Sequence, residues 1–205
     1  MMFEIRLNQI GRRFNRDWIF RQIDFHFVSG QRYAILGPNG SGKSTLLKVI
    51  SGSLTPSEGE ITYFSAGNEV PVEQVYRYLT VAAPYMELVE EFTLREMLRF
   101  HFKYKEYLNG FDPDTLAERI GLAGSMDKPL RFFSSGMKQR VKLALACASK
   151  SDVLLLDEPI SNLDQRAIGW YHQLLEDTVQ KDRILIICSN QPEEYKSCNA
   201  VLELG

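Results

Sequence analysis

The run Gly37-Pro38-Asn39-Gly40-Ser41-Gly42-Lys43-Ser44 fits the spacing G-x-x-x-x-G-K-[ST]. Glycines at these positions let successive backbone N–H groups converge on a polyphosphate, and a helix starting behind them adds its positive end to the field. Lys43 supplies a mobile cation for the β- and γ-phosphates, and Ser44 offers a hydroxyl to Mg²⁺. A glycine-rich turn that happens to hold a lysine is the structural alternative. It is disfavoured because an apolar stretch precedes the loop and helical spacing follows it. Alone, the loop does not separate ATPases, GTPases and small-molecule kinases.

A second group lies far along the chain. Asp157-Glu158-Pro159 directly follows Val153-Leu154-Leu155-Leu156, so both carboxylates stand where parallel strands end and where ligands bind in open α/β sheets. Asp157 is placed to hold Mg²⁺. Glu158, one residue farther out, is placed to polarise a water for in-line attack on a γ-phosphate. A solvated Asp-Glu turn is the alternative at this position, and the phosphate loop in the same sheet weighs against it.

The elements that must carry these groups can be read from periodicity. Ile23, Phe25 and Phe27 alternate with Asp24 and His26, which predicts a strand in a strand-rich N-terminal part. Tyr33-Ala34-Ile35-Leu36 runs into the glycine loop, and Leu46, Leu47, Val49 and Ile50 continue at helical spacing. Two more strands are predicted at Glu60-Ile61-Thr62-Tyr63-Phe64 and Leu79-Thr80-Val81-Ala82-Ala83, with the Gly/Asn/Pro-bearing stretch between them read as a turn.

From Thr93 the character becomes helical. Thr93 and Glu96 form a capping box ahead of Leu94, Met97, Leu98 and Phe102, and Asp112-Pro113 opens a helix with Leu116 and Ile120. Val141, Ala144, Leu145 and Ala148 mark a helix after Ser134-Ser135-Gly136. Ile168, Tyr171 and Leu175 mark another, and Ile184-Leu185-Ile186-Ile187 and Val201-Leu202-Glu203-Leu204 close the series as strands. The alternation predicts an α/β fold as one domain over 1–205, with an inserted helical subdomain at about 91–135.

Composition is that of an ordinary globular protein. The chain has 205 residues, 44% of them hydrophobic and 24% charged, and a net charge of −2. That size suits one domain, and that charge argues against broad nucleic-acid binding. Cys147, Cys188 and Cys198 lack metal-ligand spacing, which implies a reducing cytosol and no thiolate metal site. The start, Met1-Met2-Phe3-Glu4, shows no basic segment followed by an apolar stretch, and no apolar run approaches roughly 20 residues, so any membrane role is expected through a partner.

Taken together, the motifs resemble those of the ABC (ATP-binding cassette) ATPases over nearly the whole chain. The phosphate loop, Ser134-Ser135-Gly136, Asp157-Glu158-Pro159 and Ser161-Asn162-Leu163-Asp164 occur in that family's order. Phe133-Ser134-Ser135-Gly136-Met137-Lys138-Gln139-Arg140 is similar to the signature Leu-Ser-Gly-Gly-Gln-x-x-Arg, with Ser135 in place of a glycine and Met137 in place of a glutamine. An Asn-Lys-x-Asp base-reading motif of GTPases is absent, and a small-molecule kinase needs no signature.

The resemblance implies a P-loop NTPase core with a mainly parallel sheet, an antiparallel β part and a helical subdomain. It implies ATP and Mg²⁺ as ligands. Gly37, Pro38, Asn39, Gly40, Ser41, Gly42, Lys43, Ser44 and Thr45 would contact the nucleotide, as would Ser134, Ser135 and Gly136 across a head-to-tail dimer. Ser44 and Asp157 would hold the metal, and Glu158, Lys43 and Asn190 would serve catalysis. Phe14 takes the place of the adenine-stacking aromatic, with a core role as its alternative. Residues 161–164 become the loop that crosses the dimer interface.

Two positions depart from the pattern. Tyr85 stands where the family has a metal-touching glutamine, and Asn190 where it has a histidine. A phenol is a poor neutral ligand for a hard cation. Asparagine donates an N–H but cannot become cationic.

The function implied is the motor subunit of a transporter, at the inner face of the cell membrane. Its partners would be a transmembrane permease and a second ABC ATPase domain, in a homodimer or heterodimer. The chain ends just after its last core strand, so no C-terminal regulatory domain is expected. Two other readings remain: an ATP-responsive module with weak hydrolysis in a heterodimer, and a non-transport ABC ATPase. Members of the latter group carry long coiled coils or tandem cassettes.

Overall fold

The computed structural model describes residues 2–179 and 181–205. Its contacts divide the chain into two compact units. The first comprises Met1–Val81, Ser151–Glu158 and Gln180–Gly205, and the second Ala82–Lys150 and Pro159–Val179.

The first unit is built on two sheets. Strands β1 (Phe3–Phe14), β2 (Asp17–Val28), β4 (Glu58–Ser65) and β5 (Asn68–Val70) form an antiparallel sheet in the order β2-β1-β4-β5. Strands β3 (Arg32–Leu36), β6 (Leu79–Ala82), β7 (Val153–Asp157), β8 (Ile184–Cys188) and β9 (Ala200–Glu203) form the other, ordered β6-β7-β8-β3-β9. Its pairings β7–β8, β8–β3 and β3–β9 are parallel.

Every residue of β7 and β8 is buried, which is why both read as unbroken apolar runs rather than alternating ones. Phe3, Ile5, Phe27, Ile35, Leu46, Leu47, Ile184 and Ile186 belong to one continuous core. Helix α1 (Lys43–Ile50) packs on β7 and β8.

The second unit is helical. Thr93 caps α2 (Leu94–His101) in the expected capping box, with the Thr93 N–H donating to Glu96 Oε2 at 2.8 Å and Glu96 N–H donating to Thr93 Oγ1 at 3.2 Å. Asp112 caps α3 (Pro113–Arg119) through the N–H groups of Asp114 and Thr115. Each such cap satisfies donors that a helix start leaves open, a contribution of about 1 kcal/mol. Helices α4 (Ser135–Cys147) and α5 (Gln165–Thr178) pack against each other. Leu94, Leu98, Leu116, Leu130, Val141 and Ala148 form this unit's own core.

The stretch between β4 and β6, expected as a plain turn, is more structured. Ala66 and Gly67 make a tight turn with φ of 51° and 81°, β5 returns along β4, and Val72–Arg77 winds a 3₁₀ turn. The reason is that Val70 and Val75 have core to fill. The closing strand β9 ends at Glu203 and not Leu204, which is buried in the core just beyond it.

Candidate functional site

Ladder register sets the site. Ile35 of β3 and Asp157 of β7 both pair with Cys188 of the intervening β8. Just past that level the strands stay tied, Glu158 N–H donating to Cys188 O at 2.9 Å and Ser189 N–H to Ile35 O at 3.2 Å. The phosphate loop, Asp157-Glu158 and Asn190 therefore leave the same edge of the sheet at the same height.

The loop folds as its glycines require. Gly37 has φ 151°, and a Cβ there would lie 2.2 Å from Leu204 O. Gly42, the residue before α1, has φ 97°, and its Cβ would meet Ile19 at 2.4 Å. Both positions exclude a side chain. Ser41 N–H closes the loop on Pro38 O at 3.1 Å, while the buried Ser41 Oγ has no partner. Lys43 is 6% exposed, and its ammonium folds back to donate to Gly37 O at 2.7 Å and Pro38 O at 3.1 Å. These neutral carbonyls are weak company for a cation, so Lys43 is poised for an anion.

Asp157 is 2% exposed. Its Oδ1 is buried without a hydrogen-bond partner. Burial pushes its pKa above the usual range, the Ser44 hydrogen bond opposes that rise, and the charge of Glu158 adds to it. A desolvated carboxylate with an unpartnered oxygen, its charge favoured by a serine hydroxyl, is a donor set that fits a hard divalent cation. Ser44 and Asp157 would hold Mg²⁺ here.

Glu158 is exposed at the end of β7 and adopts φ 43°. The left-handed region costs a non-glycine residue about 1–3 kcal/mol, and such strain is concentrated at functional sites. A cavity of about 300 Å³ opens above the loop, lined by Ile19, Asn39, Gly40, Lys43, Thr45 and Glu158 among others.

Phe14 is not among the residues lining that cavity. It ends β1 at 47% exposure, with the Arg12 guanidinium 4.7 Å from its ring centre, so it is not a core residue. Ile19, which sequence reasoning did not single out, supplies the apolar wall; only its place opposite Gly42 reveals it. Asn190 is exposed and its amide donates to Asn39 Oδ1 at 2.5 Å, a contact to the phosphate loop itself.

The remaining candidates belong to the helical unit. Ser134 caps α4, its Oγ accepting from Met137 N–H at 3.2 Å. Ser134 and Ser135 are exposed, so the hydroxyl proton and the first N–H groups of α4 are open to an anion. Tyr85 is exposed on a turn, next to the Ala83 and Pro84 carbonyls that Lys142 Nζ approaches at 3.4 and 3.3 Å.

Comparison with known proteins agrees with this geometry. The family model described as "ABC transporter" matches residues 20–161. The chain is 32% identical over 188 residues to the cytochrome c biogenesis ATP-binding export protein CcmA of Brucella abortus (strain 2308), covering 90% of this chain and 84% of that protein. It is 28% identical over 208 residues to the uncharacterized ABC transporter ATP-binding protein YybJ of Bacillus subtilis (strain 168), covering 98% and 92%.

Among solved structures, a bacterial Atm1-family ABC exporter with ATP bound superposes with a TM-score of 0.82 at 20% identity. The match covers 100% of this chain and 37% of the exporter's, and it shows the P-loop NTPase fold with mixed sheets and a helical part. With the phosphate loop, the metal-fitting carboxylate and the capped signature serine in place, the chain belongs to the ABC transporter family, as a single ATP-binding domain.

Proposed function

We propose that this chain is the ATP-hydrolysing motor of a transporter, acting on a separate transmembrane permease as half of a homodimer or heterodimer of ATP-binding domains. It is one domain, with 91–135 as its inserted helical subdomain. The observation that carries the proposal is the buried Asp157, which has one unpartnered oxygen and whose strand runs straight into Glu158 at the same sheet edge. No helix among the described residues is long and apolar enough to cross a membrane, which fits a peripheral position at the inner face. The CcmA relative is named an export protein, which supports outward transport.

In this reading Gly37 to Thr45 wrap the phosphates, and Lys43 exchanges its two carbonyl partners for phosphate oxygens. Ser44 and Asp157 would hold Mg²⁺, which would supply charge neutralisation to the bound polyphosphate. Glu158 orients and polarises the attacking water. Phe14 would turn its exposed ring to the adenine. Ser134, Ser135 and Gly136 receive the γ-phosphate held by the other domain, so that two ATP molecules join the pair.

Glu158→Gln tests the assignment. The variant is expected to bind Mg-ATP, hydrolyse it at least a hundredfold more slowly, and accumulate as an ATP-dependent dimer in light scattering. Wild-type turnover in that variant removes Glu158 from the mechanism. The second reading, a weakly hydrolysing ATP-responsive partner in a heterodimer, is favoured by one observation: Asn190 is engaged by Asn39 and cannot become cationic.

A further inference from the structure

Helix α4 carries its apolar face into the helical unit, yet Gln139 on that helix is only 2% exposed. Leu143 and Ala146, four and seven residues on, share its face and are buried too. A carboxamide in such a setting must be hydrogen-bonded or it destabilises the fold. Its partner is the carbonyl of Pro159, to which Gln139 Nε2 donates at 2.8 Å. Pro159 is the residue after Glu158 and opens the irregular loop 159–164.

A second contact joins the same helix to the same loop. Gly136, three residues before Gln139, lies so close to the Asn162 carbonyl that a Cβ would stand 2.9 Å from that oxygen. Asn162 itself is held at φ 64°, Leu163 N–H donates to Ile160 O at 3.0 Å, and Asp164 caps α5 through Ala167 N–H at 2.8 Å. The loop is thus clamped at its start by Gln139, in its middle by the bare Cα of Gly136 and at its end by a helix cap.

We infer that Gln139 is a positioning residue that locks the first turns of α4 to loop 159–164, so that the segment capped by Ser134 and the loop following Glu158 move as one piece. This rests on the reading of Ser134 and Gly136 as receivers of the partner domain's γ-phosphate. The glycine at 136 then has two reasons to be glycine, access for the phosphate on one side and the Asn162 carbonyl on the other. An anion arriving at the start of α4 displaces the loop with it, without any contact between anion and loop.

The test is Gln139→Leu, which keeps volume and removes the donor. Amide hydrogen exchange at residues 160–163 is expected to quicken at least fivefold in the nucleotide-free protein. The Kd for Mg-ATP should stay within twofold of wild type, while kcat falls about tenfold. Gln139→Glu supplies a pH readout. Its buried carboxyl donates to Pro159 O when protonated and repels that oxygen when ionised, so loop exchange, taken relative to wild type at each pH, is slow at acid pH and fast at neutral pH.

Unchanged exchange at 160–163 in Gln139→Leu overturns the inference. If that variant fails to fold, Gln139→Glu decides alone, and loop exchange that tracks wild type at every pH overturns it. The exchange readout needs no turnover, so it stands apart from the reading of the site. That reading fails separately if Glu158→Gln hydrolyses ATP normally.

Discussion

Replacing Asp157 by asparagine should make the ligand-free protein more stable and the Mg-ATP-loaded protein less so. Asp157 is almost fully buried with one oxygen unpartnered, and its pKa is displaced upward chiefly by burial. At neutral pH the folded chain therefore holds a desolvated charge that the unfolded chain keeps in water. A buried unsatisfied polar group costs about 1–3 kcal/mol, and a charged one more. Asparagine keeps the shape and one orphan atom, so the gain is the excess due to charge, about 1–2 kcal/mol. For a chain of this size each kcal/mol shifts the melting midpoint by about 2–4 °C, which puts the variant about 2–8 °C higher.

Ligand reverses the order. Wild type gains about 2.7 kcal/mol at a ligand concentration a hundred times Kd, and the variant, lacking the carboxylate proposed to hold the metal, gains little. The pH dependence has a definite sign. Because the folded carboxyl binds its proton more tightly than the unfolded one, this group's contribution is full below its ordinary value of 3.8 and is lost as pH rises through the folded pKa. The gap between variant and wild type is thus widest at neutral pH and closes on acidification. Thermal melts of both proteins at pH 7 and pH 5, with and without Mg-ATP, measure all of this. A ligand-free variant that melts below wild type, or one that gains as much from Mg-ATP, refutes the reasoning.

Lys43→Ala should weaken Mg-ATP binding by roughly a hundredfold or more, since it removes charge-assisted bonds each worth about 1.5–3 kcal/mol. Calorimetry would show it, and retained affinity would sink the phosphate-loop assignment. For Asn190 we expect turnover in the order His, Asn, Ala, with Asn190→His gaining on the order of tenfold, or about 1.4 kcal/mol, because imidazole can take up charge as the transition state develops. Equal kcat for Asn190→Ala and wild type would leave the Asn39 contact without a catalytic role. Wild type free of nucleotide should sediment as a monomer, and a tight dimer there would contradict a pairing made chiefly through ATP.

What was legible in the sequence is what local chemistry dictates. Thr93 with Glu96, Asp112 with Pro113, and Ser134 ahead of α4 announce helix starts because each cap acts within four residues. Leu154 to Leu156 and Ile184 to Ile187 announce buried strands because no polar residue interrupts them. The phosphate loop and Asp157-Glu158 were readable because their spacing is itself the chemistry. Contacts between distant residues were not readable: Asn190 to Asn39, Gln139 to Pro159, and Ile19 against Gly42 depend on register and packing. Nor does a glutamate announce a positive φ such as the 43° at Glu158. Strand β5 escaped notice because it is only three residues long.

The shared rung at Cys188 has a consequence for how this domain can be altered. Ile35 and Asp157 are both levelled against that one residue, like marks on rulers clamped side by side. Sliding any of the three strands by one residue would displace its marks by about 3.3 Å and turn its side chains to the opposite face. Chain length elsewhere is a different matter. A segment that leaves the sheet after β6 and re-enters at the first residue of β7 is not itself levelled by this register, so a change in its length leaves the rungs at Cys188 where they are. For an engineer, the three-strand ladder is therefore the fixed frame, and a change of length between β6 and β7 is free only outside α4, whose Gln139 and Gly136 meet the loop after β7.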